Sequence, residues 1–317
     1  MNFLEFANKF PDEVACRQRL KEIRVKEGVE CKKCACTDHY WLSTREQFQC
    51  RQCGFRTTLT SGTVMEDTKL PVRLWFMGIH LITSTKKSIS AKELQRQLGL
   101  KRYQPAWEML HKLRMIMGKR DACYEMEEHV EVDEGFFGVV RENKVDPLEI
   151  AEDKRGDDQK RGRGSEKKAK VLVMVESEPV GQDSILSKHK PQRKVRHAKM
   201  FQLEDLKAET IEKEITEHID PESEVKTDGF RSYSRLKDKV KRHEQVLASG
   251  KNATKELPWV HIVISNAKRL FIGIHHMIKD AYLQNYLNEF CYKFNRRYMY
   301  DKLFDRLLVA SISCNWY

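Results

Sequence analysis

The chain has 317 residues and 40% hydrophobic content, enough for a sizeable core and roughly two domains at about 150 residues each. Its formal charge of +11 is uneven: residues 1 to 125 hold 23 Lys and Arg against 14 Asp and Glu, so the front of the chain calls for a polyanionic partner and the remainder does not. No run of 18 apolar residues occurs and Met1 to Phe10 is too polar for a signal sequence, so no membrane partner is expected; the expectation is a cytoplasmic, nucleoid-associated protein (nuclear in a eukaryote) whose nine cysteines stay reduced and open to metal.

Residues 1–68 read as an N-terminal helix followed by a zinc ribbon. Cys31-Lys32-Lys33-Cys34 and Cys50-Arg51-Gln52-Cys53 are two C-x-x-C pairs separated by 15 residues. Each pair supplies two thiolates from a tight knuckle, and Tyr40-Trp41-Leu42 with Gln47-Phe48-Gln49 form the two arms of a hairpin that brings the knuckles around a tetrahedral Zn²⁺. Four thiolates close the coordination sphere, which makes the site structural. Cys36 is an ambiguous neighbour of Cys34.

Residues 69–125 read as a helix-turn-helix region. Leu70-Pro71 opens a helix with Leu74, Trp75, Met77, Leu81 and Ile82 apolar. Ser90 then caps a helix carrying Ala91, Leu94 and Leu98, Gly99 makes the turn, and a second helix runs from Gln104 or Pro105 through Trp107, Leu110, Leu113 and Met117. Lys101, Arg102, Lys112 and Arg114 lie where a groove-entering helix would meet phosphates of double-stranded DNA. A plain helical hairpin is the alternative.

Residues 126–317 alternate strands and helices: strands at His129 to Asp133, Lys170 to Glu176 and Arg193 to Met200, a helix from Leu206 to Ile219, and a strand at Glu224 to Thr227, with a fifth at Glu244 to Leu247. Three antiparallel strands, a crossover helix and a parallel strand, with Asp133 and Asp228 ending the first and fourth strands, is the ribonuclease H-like order. The whole is then multidomain α+β, an N-terminal ribbon and helix-turn-helix before an α/β core with C-terminal helices. Two carboxylates at neighbouring strand ends can hold Mg²⁺ or Mn²⁺ for phosphoryl transfer. Glu134, by strand alternation, should face away from Asp133 and is left out. The segment 152–170, with eight Lys or Arg, five acids and three glycines, reads as a basic inserted loop, and Lys188 to Lys199, with six Lys or Arg and no acid, as a DNA-facing or merely solvated strand. Tyr286, Leu287, Phe290 and Phe294 form a core stripe at helical spacing, with Arg296 and Arg297 beyond it as phosphate contacts.

Ser61-Gly62-Thr63-Val64, Lys69-Leu70-Pro71, Trp75, Val132-Asp133-Glu134 with Gly138, Thr227-Asp228-Gly229, Gly273 with His275-His276, Tyr286-Leu287-Asn288-Glu289-Phe290 and Phe294-Asn295-Arg296-Arg297 occur in an ordered series. In that series the chain resembles insertion-sequence transposases of the IS-fifteen-ninety-five (ISXO-like) family, a group similar to the Merlin transposases. The resemblance implies an enzyme that binds transposon terminal inverted repeats, cuts them and joins them to target DNA with Mg²⁺, as a homodimer or higher oligomer. It also implies a third metal ligand, usually Glu. Seven residues before Lys268 stands His261, which would share a helix face with it and complete the set, Lys268 contacting a phosphate. Val260 to Ile264 reads equally as a strand, and Asn266 is the other candidate. The rival function is a non-catalytic DNA-binding regulator descended from such an enzyme.

Overall fold

The computed structural model describes residues 1–141, 168–180, 192–246 and 253–313. They form two compact units, one of residues 1–120 together with 296–317 and one of residues 121–295. Residues 152–167 of the inserted segment fall outside the described residues, as do residues 188–191 of the basic strand and Leu247.

The first unit begins with helices α1 (Phe3–Lys9) and α2 (Glu13–Glu27), each started by a polar cap, Asn2 and Asp12. A three-stranded antiparallel sheet follows, β1 (His39–Leu42), β2 (Gln47–Cys50) and β3 (Arg56–Thr58), the last beyond the expected hairpin. Helix α3 (Val72–Ser84) starts after Pro71, and its first two amides are capped by the two oxygens of Glu13 at 3.0 and 2.8 Å. It buries Trp75, Phe76, Ile79, His80 and Ile82. Helices α4 (Ala91–Gln97) and α5 (Gln104–Ala122) flank a turn at Gly99, with the Ser90 hydroxyl accepting the Glu93 N–H at 3.1 Å. The C-terminal helix α10 (Tyr300–Ser313), read from sequence as part of the second domain, packs on α3 and α2 instead. Its Phe304 sits among Phe6, Phe10, Phe76 and His80, ring centroids 5.6 to 6.3 Å away, and this aromatic cluster has no counterpart in the chain order.

The second unit is built on a five-stranded sheet of β4 (His129–Gly138), β5 (Lys168–Pro179), β6 (Arg193–Leu203), β7 (Glu224–Asp228) and β8 (Arg242–Val246), ordered β6-β5-β4-β7-β8. The first three are antiparallel, and β7 runs parallel to both β4 and β8. Helix α6 (Ala208–His218) makes the crossover and covers one face, its Ile211 and Ile215 sharing a core with Val130, Val132, Leu172 and Met174 of the sheet. A 3₁₀ segment, Arg231–Asp238, adds the buried Tyr233 and Leu236 where no alternation was visible. The short α7 (Ala253–Glu256) leads into α8 (Pro258–Ile274), which with α9 (Leu283–Asn295) covers the other face. Residues 260 to 264, equally readable as a strand, are helical: Pro258 sits in the first turn and Val260, Val263, Ile264, Ala267 and Phe271 recur at helical spacing on the buried side. Leu287 and Phe290 of the aromatic stripe are buried in the same core. The basic residues of β6 are engaged within the sheet: Arg196 reaches Glu176 at 3.1 Å, Lys194 reaches Glu178 at 3.0 Å, and Arg193 donates to Ser177.

Candidate active site

The cysteine cluster follows from two matching turns. Cys31 N–H donates to Cys36 O and Ala35 N–H to Cys31 O; in the second, Cys50 N–H donates to Phe55 O and Gly54 N–H to Cys50 O. Both turns need a left-handed residue, Ala35 at φ 56° and Gly54 at φ 71°. They converge the sulfurs of Cys31, Cys34, Cys50 and Cys53 within 4.8 Å, with separations of 3.5 Å for Cys31–Cys53, 3.6 Å for Cys34–Cys50 and 3.4 Å for Cys34–Cys53. A tetrahedron with metal–sulfur bonds of about 2.3 Å has edges of about 3.8 Å, so the cluster fits Zn²⁺. The Cys53 backbone amide, with that of Gln52, draws Cys50 down to about 6. Cys36 turns away, its sulfur accepting the Asp38 N–H at 3.4 Å.

The acidic cluster arises where a ladder stops. The β4–β7 pairing ends at Val132↔Thr227, so Asp133 and Asp228 are the next residues on adjacent parallel strands. The expectation that Asp133 ends its strand is corrected: β4 continues five residues further, paired to β5, and it is the neighbour β7 that ends, at Asp228. That gap explains a second correction. Glu134 does face the other side, yet β7 no longer runs beside it, and its carboxylate lies with those of Asp133 and Asp228 within 4.8 Å. The exclusion of Glu134 by alternation therefore fails. Asp133 Oδ1 accepts the Glu134 N–H at 2.8 Å and Asp228 Oδ1 accepts the Phe230 N–H at 3.0 Å, which orients both aspartates. Complete burial, with the charges of Glu134, Asp133 and Asp228, holds the Tyr233 phenol well above its ordinary value, so it stays protonated beneath the cluster.

Helix α8 brings His261 to this cluster, its Nδ1 3.6 Å from Asp133 Oδ2. Gly135, between Asp133 and Phe137, leaves room for the Phe137 ring, which a Cβ there would meet at 2.8 Å, while Ile264 of α8 would be in ordinary contact at 3.5 Å. Lys268 stands two turns beyond His261 with its Nζ 5.5 Å from the Phe137 centroid; burial and Lys168 lower its pKa while Asp133 opposes them. Asn266 lies about 140° around the helix from His261 and accepts from Arg269 at 2.7 Å, so it is not brought to the cluster. Oxygen ligands on opposite sides of one Mg²⁺ stand about 4.2 Å apart, so the three carboxylates within 4.8 Å fit a divalent cation, with the His261 imidazole at the edge of the group beside Asp133.

Glu131, two residues before Asp133, was not singled out in the sequence. It is buried at 4% exposure, and its Oε2 accepts both the Trp259 N–H at 2.9 Å and the Val260 N–H at 3.0 Å. Burial pushes it up to about 7 against the pull of those two amides.

Of the expected phosphate contacts, Lys101 and Arg102 are exposed in the turn before α5. Arg114 is corrected: it is 1% exposed and donates to Ile89 O and Ser88 Oγ, because its position on α5 faces inward. Lys112 likewise donates to Val64 O and Glu66 O, over the Trp75 ring. Arg296 is corrected too, being 5% exposed, while Arg297 is half-buried against Tyr298. Among the described residues no helix is long and apolar enough to cross a membrane.

No curated protein and no solved structure matches the chain. Two family models do. Residues 11–56, spanning α2 and the ribbon, match the transposase zinc-ribbon domain. Residues 125–295, more than half of the chain and nearly the whole second unit, match the ISXO2-like transposase domain. The carboxylate cluster and α8 lie inside that span, and on this match the chain belongs to the ISXO2-like transposase family.

Proposed function

We propose that this transposase is an active enzyme that binds its transposon ends, cleaves them and joins the 3′ ends to target DNA by metal-dependent phosphoryl transfer. One observation carries the reading: Asp133, Glu134 and Asp228 converge within 4.8 Å at the open end of a strand ladder, with His261 beside Asp133. The antiparallel trio, crossover helix and parallel pair support a ribonuclease H-like core. Asp133 and Asp228 hold the metal, Glu134 adds a third carboxylate and His261 completes the set. Bound there, Mg²⁺ or Mn²⁺ would polarise the scissile phosphate and activate the attacking water or 3′-hydroxyl. With Glu134 the site keeps three carboxylates, and the imidazole adds a softer, neutral donor that shifts preference towards Mn²⁺. Lys268, on the same face of α8, pairs with a phosphate beside the scissile bond. Zn²⁺ on the four cysteines holds the ribbon, and α4 and α5 act as a helix-turn-helix, with Lys86, Lys87, Lys92, Lys101 and Arg102 exposed for backbone phosphates. Two ends must be synapsed, which calls for a homodimer or higher oligomer.

The test is joining of a pre-cut end, taken from the DNA flanking the gene, to plasmid in Mg²⁺ or Mn²⁺. Asp133→Asn and Asp228→Asn each remove a charge at constant shape, so end binding is retained while joining falls at least a thousandfold, roughly the loss of several kcal/mol of metal stabilisation. Undiminished joining by Asp133→Asn overturns the site. Wild-type protein that binds ends and joins none under either metal is a regulator instead.

A further inference from the structure

Helix α8 begins without a cap of its own. Leu257 at the cap position has no side-chain acceptor and Pro258 has no N–H, so the first amides that need an acceptor are those of Trp259 and Val260. Both are taken by one oxygen of Glu131, 128 and 129 residues earlier in the chain. Glu131 projects from the same face of β4 as Asp133, two residues on. His261, the following residue but one from Trp259, is the side chain that meets Asp133. The strand that presents the first carboxylate therefore also grips the helix end that presents the imidazole, over a span of three residues on each element. Lys226 of β7, tied to Glu244 at 3.4 Å and Glu256 at 3.1 Å, adds the neighbouring positive charge.

We propose that Glu131 is a positioning residue that fixes the start of α8 on β4 and thereby sets the His261 imidazole at the metal site. This rests on the reading of His261 as a metal ligand. Glu131 itself touches no metal; it acts through the helix backbone, as outer groups that orient metal ligands do.

The test uses the full zinc-loaded chain and titrates Mn²⁺ by calorimetry, with amide hydrogen exchange across residues 257–264 in the metal-free state. Glu131→Ala is expected to abolish the protection of the Trp259 and Val260 amides and to weaken Mn²⁺ binding about tenfold. Glu131→Gln keeps an acceptor oxygen and the side-chain volume, and is expected to fold even if the alanine variant does not, with a two- to threefold loss (about 0.4–0.7 kcal/mol). The decisive comparison is the double substitution: once His261→Ala has removed the imidazole, Glu131→Gln or Glu131→Ala adds no further loss of Mn²⁺ affinity. Losses that multiply in the double variant, or faster exchange with unchanged Mn²⁺ affinity in Glu131→Ala, overturn the positioning role. Wild-type Mn²⁺ affinity in His261→Ala alone refutes the ligand assignment beneath it, a distinct failure.

Discussion

His218, at the end of α6, is held neutral by its surroundings. Burial first, then Lys199, lower its pKa to about 4, and the geometry agrees: Lys199 Nζ approaches Nδ1 at 3.5 Å while Nε2 faces Glu214 at 3.7 Å, so Nδ1 accepts and Nε2 carries the proton. The ring also stacks on Phe201 at 4.3 Å. Unfolded, the same histidine protonates near its ordinary 6.5. Its contribution to stability is therefore complete above pH 6.5 and is lost as the pH falls from there towards 4, by up to roughly 3 kcal/mol at 1.36 kcal/mol per unit. Urea unfolding at pH 7 and pH 4.5 is expected to show that drop in the parent and a markedly smaller one in His218→Gln. At this scale the sequence was an uneven guide. Asp133 and Asp228 were legible because each closes a short apolar alternation before a break in its neighbourhood. Arg114 on α5 and Arg296 in the turn after α9 were misread because charge alone does not reveal which side of an element is covered. Glu134 was lost to a sound rule, alternation, applied where the adjoining strand had already stopped.

Among elements, the knuckles and strands were visible in the chain because their signals are local: a C-x-x-C pair, an apolar run, a serine before a helix. Helix α8 shows what was not. Its first amides are satisfied by Glu131, 128 and 129 residues away, so no capping side chain nearby marks where it begins, whereas α3, capped from afar by Glu13, could still be read from Pro71. With that signal missing, residues 260 to 264 read as strand or helix alike, and His261 could not be aimed. The ribbon makes the opposite case, since its three short strands have little core of their own and depend on the cysteine cluster. Metal analysis is expected to find about one Zn²⁺ per chain, and Cys50→Ser to lose it. End binding then weakens, while the second unit keeps its cooperative melting transition because its sheet and helices lie wholly within residues 121–295. Purified parent protein without zinc would refute this.

At the level of the molecule, the sequence divided the chain into consecutive blocks, whereas the first unit is made of two separated stretches. Phe304, carried on the second stretch, is 2% exposed among rings from α1, α3 and the loop after α1. Phe304→Ala is expected to cost about 3–5 kcal/mol, seen as a lower melting temperature of the first unit with the second unaffected. A chain ending at residue 295 should lose that unit's cooperative transition altogether, and equal melting of the truncated and full chains would contradict the packing. The discontinuity also imposes a schedule on synthesis. The 175 residues of the second unit must be translated before α10 exists, which takes about 9–35 s at about 5–20 residues per second. Throughout that interval the unit carrying the ribbon still lacks its closing helix. A chain terminated just after residue 295 thus carries the second unit whole beside a first unit left without its closing helix.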